Sequence, residues 1–114
     1  MDLTAFNEKR TELNLRLAHA DDFFSEFGAL DDSAYAGGGI PQKYKELTGL
    51  SISIIARCDE CIAYHLQNCK AIGCTRQQAV EAIKIAVIGG GSVTFPWARK
   101  AIDLVDDLEF NEPC

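Results

Sequence analysis

The sequence predicts an all-α fold: a helical bundle of about five to six helices in one domain spanning residues 1–114. Three observations carry that expectation. Apolar residues recur at spacings of three, four and seven rather than two. Helix-boundary residues punctuate the chain between those runs. Neither a βαβ alternation nor a hairpin dipeptide is present.

Residues 4–27 carry Leu13, Leu17, Phe24 and Phe27 with charged residues between them, a helical pattern that Gly28 is placed to stop. A short polar piece from Asp31 to Ala36 leads into Gly37-Gly38-Gly39-Ile40-Pro41, read as a loop with Pro41 at a helix start. Over residues 42–57, Leu47, Leu50 and Ile54 suit a buried helix. Ser51-Ile52-Ser53-Ile54 alternates like a strand, but the run is too long for one and its flanks are helical. A further helix is expected from Cys58 to Ile72, closed by Gly73 as a left-handed cap residue. Thr75 with Gln78 forms a capping box, opening a helix from about Arg76 to Ile88 with Ala79, Ile83, Ala86 and Val87 on its apolar face. Gly89-Gly90-Gly91 breaks it. The last helix runs from about Val93 or Phe95 to Leu108, with Pro96 in its first turn and Ala98, Ile102 and Val105 facing inward.

Charge and hydropathy narrow the function classes. The net charge of -6 argues against nucleic acid as a partner, and Lys and Arg form no patch. The most apolar stretch, Ala82 to Ile88, contains Lys84 and stops at the glycines, far short of the roughly 20 residues that span a bilayer. Met1-Asp2-Leu3-Thr4-Ala5 does not read as a signal peptide, so a cytoplasmic location is expected. In a reducing compartment five cysteines do not suggest a structural disulfide framework. The odd count and the tight pair Cys58/Cys61 point to redox chemistry or metal binding.

At about 100° per residue, Cys58, Cys61, His65 and Cys69 fall within an arc of roughly 80° on one helix face. Two thiols at i and i+3 can approach closely enough to bond, and the His65 imidazole, one turn on, can exchange their proton. An ordinary thiol with a pKa near 8.5 is only about 3% thiolate at neutral pH. The positive end of a helix and a neighbouring imidazolium favour the anion, whereas Asp59 and Glu60 oppose it. The competing reading of these residues is a zinc site with Cys69 or Glu46 as fourth ligand, but one helix stripe surrounds a tetrahedral ion poorly.

The run Glu46-x11-Cys58-x-x-Cys61-x3-His65, with Lys45-Glu46-Leu47 upstream and Gly73 and Gly89-Gly90-Gly91 downstream, resembles the signature of alkylhydroperoxidase D-like proteins in the carboxymuconolactone decarboxylase family. The likeness is good over about residues 40–108 and weak over the first 35. It implies an all-α fold, trimers or hexamers, and peroxide or disulfide chemistry at the dithiol. By position, Cys61 would be the attacking thiol that becomes a sulfenic acid and Cys58 the resolving thiol. Glu46 and His65 would form the proton relay. The expected reactants are a small hydroperoxide and an external dithiol or protein thiol reductant, with no cofactor beyond the Cys58–Cys61 disulfide. Some of these proteins carry a histidine between the cysteines where this chain has Glu60, which weakens thiol activation. The alternatives are a lactone decarboxylase, which has no need of paired thiols, and a non-enzymatic redox-sensing or zinc-binding module.

The relay imposes a structural requirement. On one unbroken helix Glu46 and Cys61 would stand about 22 Å apart. The chain must therefore turn near Arg57 to Asp59 and lay the two helices side by side. Tyr64 and Trp97 are expected as core or subunit-contact aromatics, His19 as a surface residue, Cys69 as core packing, and Cys74 and Cys114 as incidental.

Overall fold

A computed structural model describes residues 1–111. Those residues form six α-helices and one 3-10 turn, with no strand among them. Residues 1–36 and the chain from Gly37 onward make two separate compact units.

The first unit holds α1 (Leu3–Ala20) and α2 (Asp22–Tyr35). The helix expected over 4–27 is thus broken at Asp21. This residue adopts an extended conformation, ends α1 with its backbone N–H on the Leu17 carbonyl, and begins α2 by accepting the Phe23 N–H at 2.8 Å. A good N-cap outweighs continuation here. Gly28 does not stop the helix: α2 runs through it and through Asp31. A helix-interior glycine costs only about 1 kcal/mol relative to alanine. Asp2 caps α1 through the Ala5 N–H. Neither helix has a buried residue, so Leu13, Leu17, Phe24 and Phe27 all stay exposed.

The second unit contains α3 (Gln42–Ile55), α4 (Asp59–Ala71), α5 (Arg76–Gly90), the 3-10 turn Ser92–Thr94, and α6 (Phe95–Asp107). Helix α3 packs against both α4 and α5 and supplies the centre of the core with Leu50 and Ile54. Burying each such side chain contributes about 1.5–3 kcal/mol. Opposite them lie Ile62, Ala63 and Leu66 of α4 and Ala79, Ala82, Ile83 and Ala86 of α5. The alanines at 79, 82 and 86 keep the α5 face shallow, so the Ser51 hydroxyl reaches across to the Ala82 carbonyl at 2.7 Å. The expected α5 face is buried at Ala79, Ile83 and Ala86 and half-buried at Val87.

The capping box forms in full, with Thr75 Oγ1 accepting the Gln78 N–H and Gln78 Oε1 accepting the Thr75 N–H. Gly73 takes a positive φ of 90° as the cap of α4. Of the three glycines, 89 and 90 remain helical and only Gly91, at φ 82°, breaks the chain. The inward face of α6 is Ala101, Leu104 and Val105, while Ala98 and Ile102 are half-buried. This is a rotation of about one residue from the expected stripe: Pro96 starts the helix but its tertiary neighbours set its roll. Arg76 joins the start of α5 to the end of α6, bonding Asp106 at 3.0 Å and, through its backbone N–H, the Asn111 carbonyl at 2.8 Å.

Gly90 is needed for space. A Cβ there would lie 2.5 Å from Thr94 Cγ2, and Thr94 cannot rotate away without losing its hydroxyl bond to the Gly91 carbonyl. At Gly89 the nearest atom, Ile55 Cδ1, would be at an ordinary 3.5 Å. Thermal unfolding is expected to show Gly90→Ala destabilised by about 1–2 kcal/mol, overpacking outweighing helix propensity, and Gly89→Ala stabilised by up to about 1 kcal/mol.

Candidate redox site

The site is built by the reversal between α3 and α4. After Ile55, Ala56 is the last right-handed residue and Arg57 enters the left-handed region at φ 59°. The Arg57 N–H returns to the Ile54 carbonyl at 3.1 Å and the Cys58 N–H to the Ser53 carbonyl at 3.0 Å. These two bonds make a Schellman cap with an arginine where glycine is usual. The turn falls within the Arg57–Asp59 region where the sequence requires one.

Cys58 is therefore not the first residue of a helix, as its stripe suggests, but the extended N-cap of α4. Its Sγ accepts the Cys61 N–H at 3.1 Å. Cys61 occupies the first turn of α4, and the two form a disulfide with Cα atoms 5.2 Å apart. Cys61 is exposed, His65 buried and Cys69 fully buried, so the stripe descends from solvent into the core along α4.

Below the disulfide is a buried polar pair. Glu46, four residues into α3 and 4% exposed, places Oε2 2.8 Å from His65 Nδ1. An ionised carboxylate accepts only, so Nδ1 is the nitrogen that donates to it. The Asn68 amide donates to both Glu46 oxygens in long contacts of 3.4 Å. Asn68 is a site residue that the sequence reading missed; its position three after His65, on the same helix face, was the available signal. The Tyr64 ring lies edge-on to His65 with centroids 5.0 Å apart.

The rim carries charges of both signs. Trp97 of α6 is half-buried with the Arg57 guanidinium 5.7 Å and Lys100 Nζ 5.8 Å from its ring centre. Lys100 also pairs with Asp59 at 2.7 Å, an exposed contact worth at most about 1 kcal/mol. Glu60 is exposed.

The remaining residues fall as follows. His19 is exposed. Cys69 is in the core, as expected. Cys74, expected as an incidental residue, is 3% exposed, because the cap at Gly73 folds it back beneath α4. Cys114 lies outside the described residues. Among the described residues no helix is long and apolar enough to cross a membrane.

The carboxymuconolactone decarboxylase family model matches residues 21–104. A carboxymuconolactone decarboxylase family protein from Thermotoga maritima, suggested to take part in an antioxidative response, has a crystal structure similar to this chain at a TM-score of 0.86. It is 38% identical, over 91% of this chain and 89% of that one. A family member from Legionella pneumophila, 24% identical with a TM-score of 0.81 over 90% and 91% of the two chains, shares the fold. Uncharacterised proteins from the cox locus of Paracoccus denitrificans and from Cupriavidus necator are 27% and 29% identical. They cover 73% and 86% of this chain and 75% and 96% of their own.

Removing the Glu46 carboxylate takes away the acceptor for the buried His65 Nδ1–H and the half-buried Asn68 amide. Urea denaturation is expected to show Glu46→Ala destabilised by about 1–3 kcal/mol, and Glu46→Gln, which still accepts from His65, by clearly less. Equal losses in the two variants would mean that the pair contributes packing and not hydrogen bonding.

Proposed function

The chain belongs to the carboxymuconolactone decarboxylase family, and from the geometry of its site we propose that it is a thiol-dependent peroxidase and disulfide oxidoreductase. It reduces small hydroperoxides at Cys58 and Cys61, with Glu46 and His65 as proton relay. One observation carries this reading: a disulfide at the mouth of α4 stands one helical turn above a buried carboxylate–imidazole pair. That is an electron-pair acceptor and a proton carrier on one helix face. The suggested antioxidative role of the Thermotoga maritima relative agrees with it.

Of the two cysteines Cys61 is the more exposed, and it shares its helix face with His65. His65 Nε2 takes the Cys61 proton, and Glu46 stabilises the imidazolium through Nδ1–H. The Cys61 thiolate attacks the terminal oxygen of the hydroperoxide. The O–O bond breaks, the alkoxide leaves with the proton from His65 as an alcohol, and Cys61 becomes a sulfenic acid. Cys58 then attacks that sulfur. Its thiolate is favoured by the Cys61 N–H and the positive end of α4. The S–O bond breaks, water leaves, and the disulfide forms. An external dithiol or a reduced partner protein restores both thiols by exchange. The disulfide itself serves as the redox group, with no separate cofactor.

Oligomerisation belongs to the same proposal. A helix pair that buries nothing and exposes Leu13, Phe23, Phe27 and Leu30 suits assembly into a trimer or hexamer. Light scattering at micromolar concentration is the direct measurement.

The activity test is consumption of an organic hydroperoxide with dithiothreitol as donor. Cys61→Ser is expected to lose turnover, Cys58→Ser to accumulate sulfenic acid, and His65→Ala to slow the first step by about 10²–10⁴-fold. Wild-type turnover in Cys61→Ser would overturn the assignment, and lactone decarboxylation surviving loss of both cysteines would favour the other chemistry of the family.

A further inference from the structure

The second pair of cysteines is unused by that mechanism. Cys69 is in the last full turn of α4 and Cys74 lies two residues beyond its C-cap, Ile72. The end of α4 is a second Schellman cap: the Gly73 N–H bonds the Lys70 carbonyl at 3.2 Å and the Cys74 N–H bonds the Cys69 carbonyl at 2.9 Å. In this motif the side chains at the first and last positions of the hydrogen-bonded loop meet, usually as an apolar contact. Here both are cysteines. The cap therefore turns their side chains toward each other, and neither is in a disulfide. Both are buried, at 0% and 3% exposure, while Ile72 and Gly73, which lie between them in the cap, are exposed. The Cys74 sulfur also contacts the Lys43 carbonyl of α3 at 3.9 Å.

We propose that Cys69 and Cys74 are a second redox-active dithiol, which a hydroperoxide converts into an intramolecular disulfide across the C-terminal cap of α4. Cys74 is the nucleophile. The hydrogen bond from Cys69, aided by the charge of Lys43, holds its pKa below the ordinary thiol range against the opposing effects of burial and Glu46. Cys69 is pushed upward by donating that bond, by burial and by the charges of Cys74 and Glu46, so it stays protonated until needed. The Cys74 thiolate attacks the hydroperoxide, the O–O bond breaks, and the alkoxide leaves and takes up a proton. Cys74 is thereby oxidised by two electrons to a sulfenic acid. Cys69 then attacks that sulfur, the S–O bond breaks, water carries off the Cys69 proton, and the S–S bond closes. Because a Schellman cap is the last turn of a helix, local opening of this turn admits the oxidant without unfolding α4. Direct exchange with the first pair is excluded, since Cys61 and Cys69 are separated by about 12 Å along the helix. The second dithiol is therefore an independent site, and it does not rest on the function proposed above.

The test uses Cys58→Ser/Cys61→Ser/Cys114→Ser protein, which keeps only Cys69 and Cys74. It is treated with hydrogen peroxide, alkylated, and mapped without reduction. Trypsin cleaves after Lys70 and so separates the two residues onto different peptides, 58–70 and 71–76. The expected result is loss of both titratable thiols, a mass lower by two hydrogens, and a linked pair of those peptides that dithiothreitol releases. The rate is expected to reach half its maximum below the pH at which a free cysteine does, because the Cys74 thiolate forms earlier. In the same background Cys69→Ser is expected to stop at a sulfenic acid on Cys74 that dimedone captures. The identical map on oxidised wild-type protein guards against an effect of the serines on folding. Thiols that stay fully alkylatable in both proteins, at a peroxide dose that oxidises Cys58 and Cys61 completely, would overturn the proposal. So would crosslinks found only between molecules.

Discussion

The backbone bond from the Cys58 N–H to the Ser53 carbonyl closes the turn on which the site depends. It forms only because Arg57 takes a left-handed conformation, which costs a non-glycine residue about 1–2 kcal/mol. Two consequences follow from the same reversal. Helix α4 comes back along α3, so that Glu46 and His65, 19 positions apart, are in hydrogen-bond contact. The turn also delivers Cys58 in the extended conformation an N-cap requires, with its sulfur on the Cys61 N–H. The stacking of Arg57 on Trp97 partly offsets the conformational cost.

Burying a carboxylate is expensive unless its lone pairs are met. Glu46 meets that condition through His65 and Asn68, and among the described residues no buried side-chain nitrogen or oxygen lacks a partner. The two helices that carry the pair also bury Leu50, Ile54, Ile62 and Leu66. The Glu46–His65 bond fixes the orientation of the imidazole at the contact between α3 and α4.

Helix α4 carries cysteines at both of its ends for one geometric reason. Cys58 stands two residues past the C-cap of α3 and Cys74 two past the C-cap of α4, each at the position whose N–H closes a Schellman loop. That position brings a side chain back toward the preceding helix. At the first turn the result is an N-cap sulfur near solvent; at the second it is a sulfur pressed beneath the helix against Cys69 and Lys43. Solvent contact differs between the two: Cys58, the N-cap of α4, is half-buried, whereas Cys74 is 3% exposed.

Local rules made much of this protein legible from sequence. Periodicity gave the helical class, Thr75 and Gln78 gave the start of α5, Gly73 gave the end of α4, and simple distance arithmetic required the turn before Cys58. These are readable because they depend on residues within one turn of each other. Tertiary structure alone decided the rest. Asp21 rather than Gly28 divided the first two helices, since capping and propensity differ by an amount too small to rank from sequence. The roll of α6 followed its neighbours, and so did the burial of Cys74. The Glu46–His65–Asn68 cluster was half visible: spacing along α4 aligned His65 with Cys61, but no spacing rule reaches from α3. Contacts across helices are fixed by the packing of Leu50 and Ile54 against α4 and α5, and that packing is a property of the assembled core.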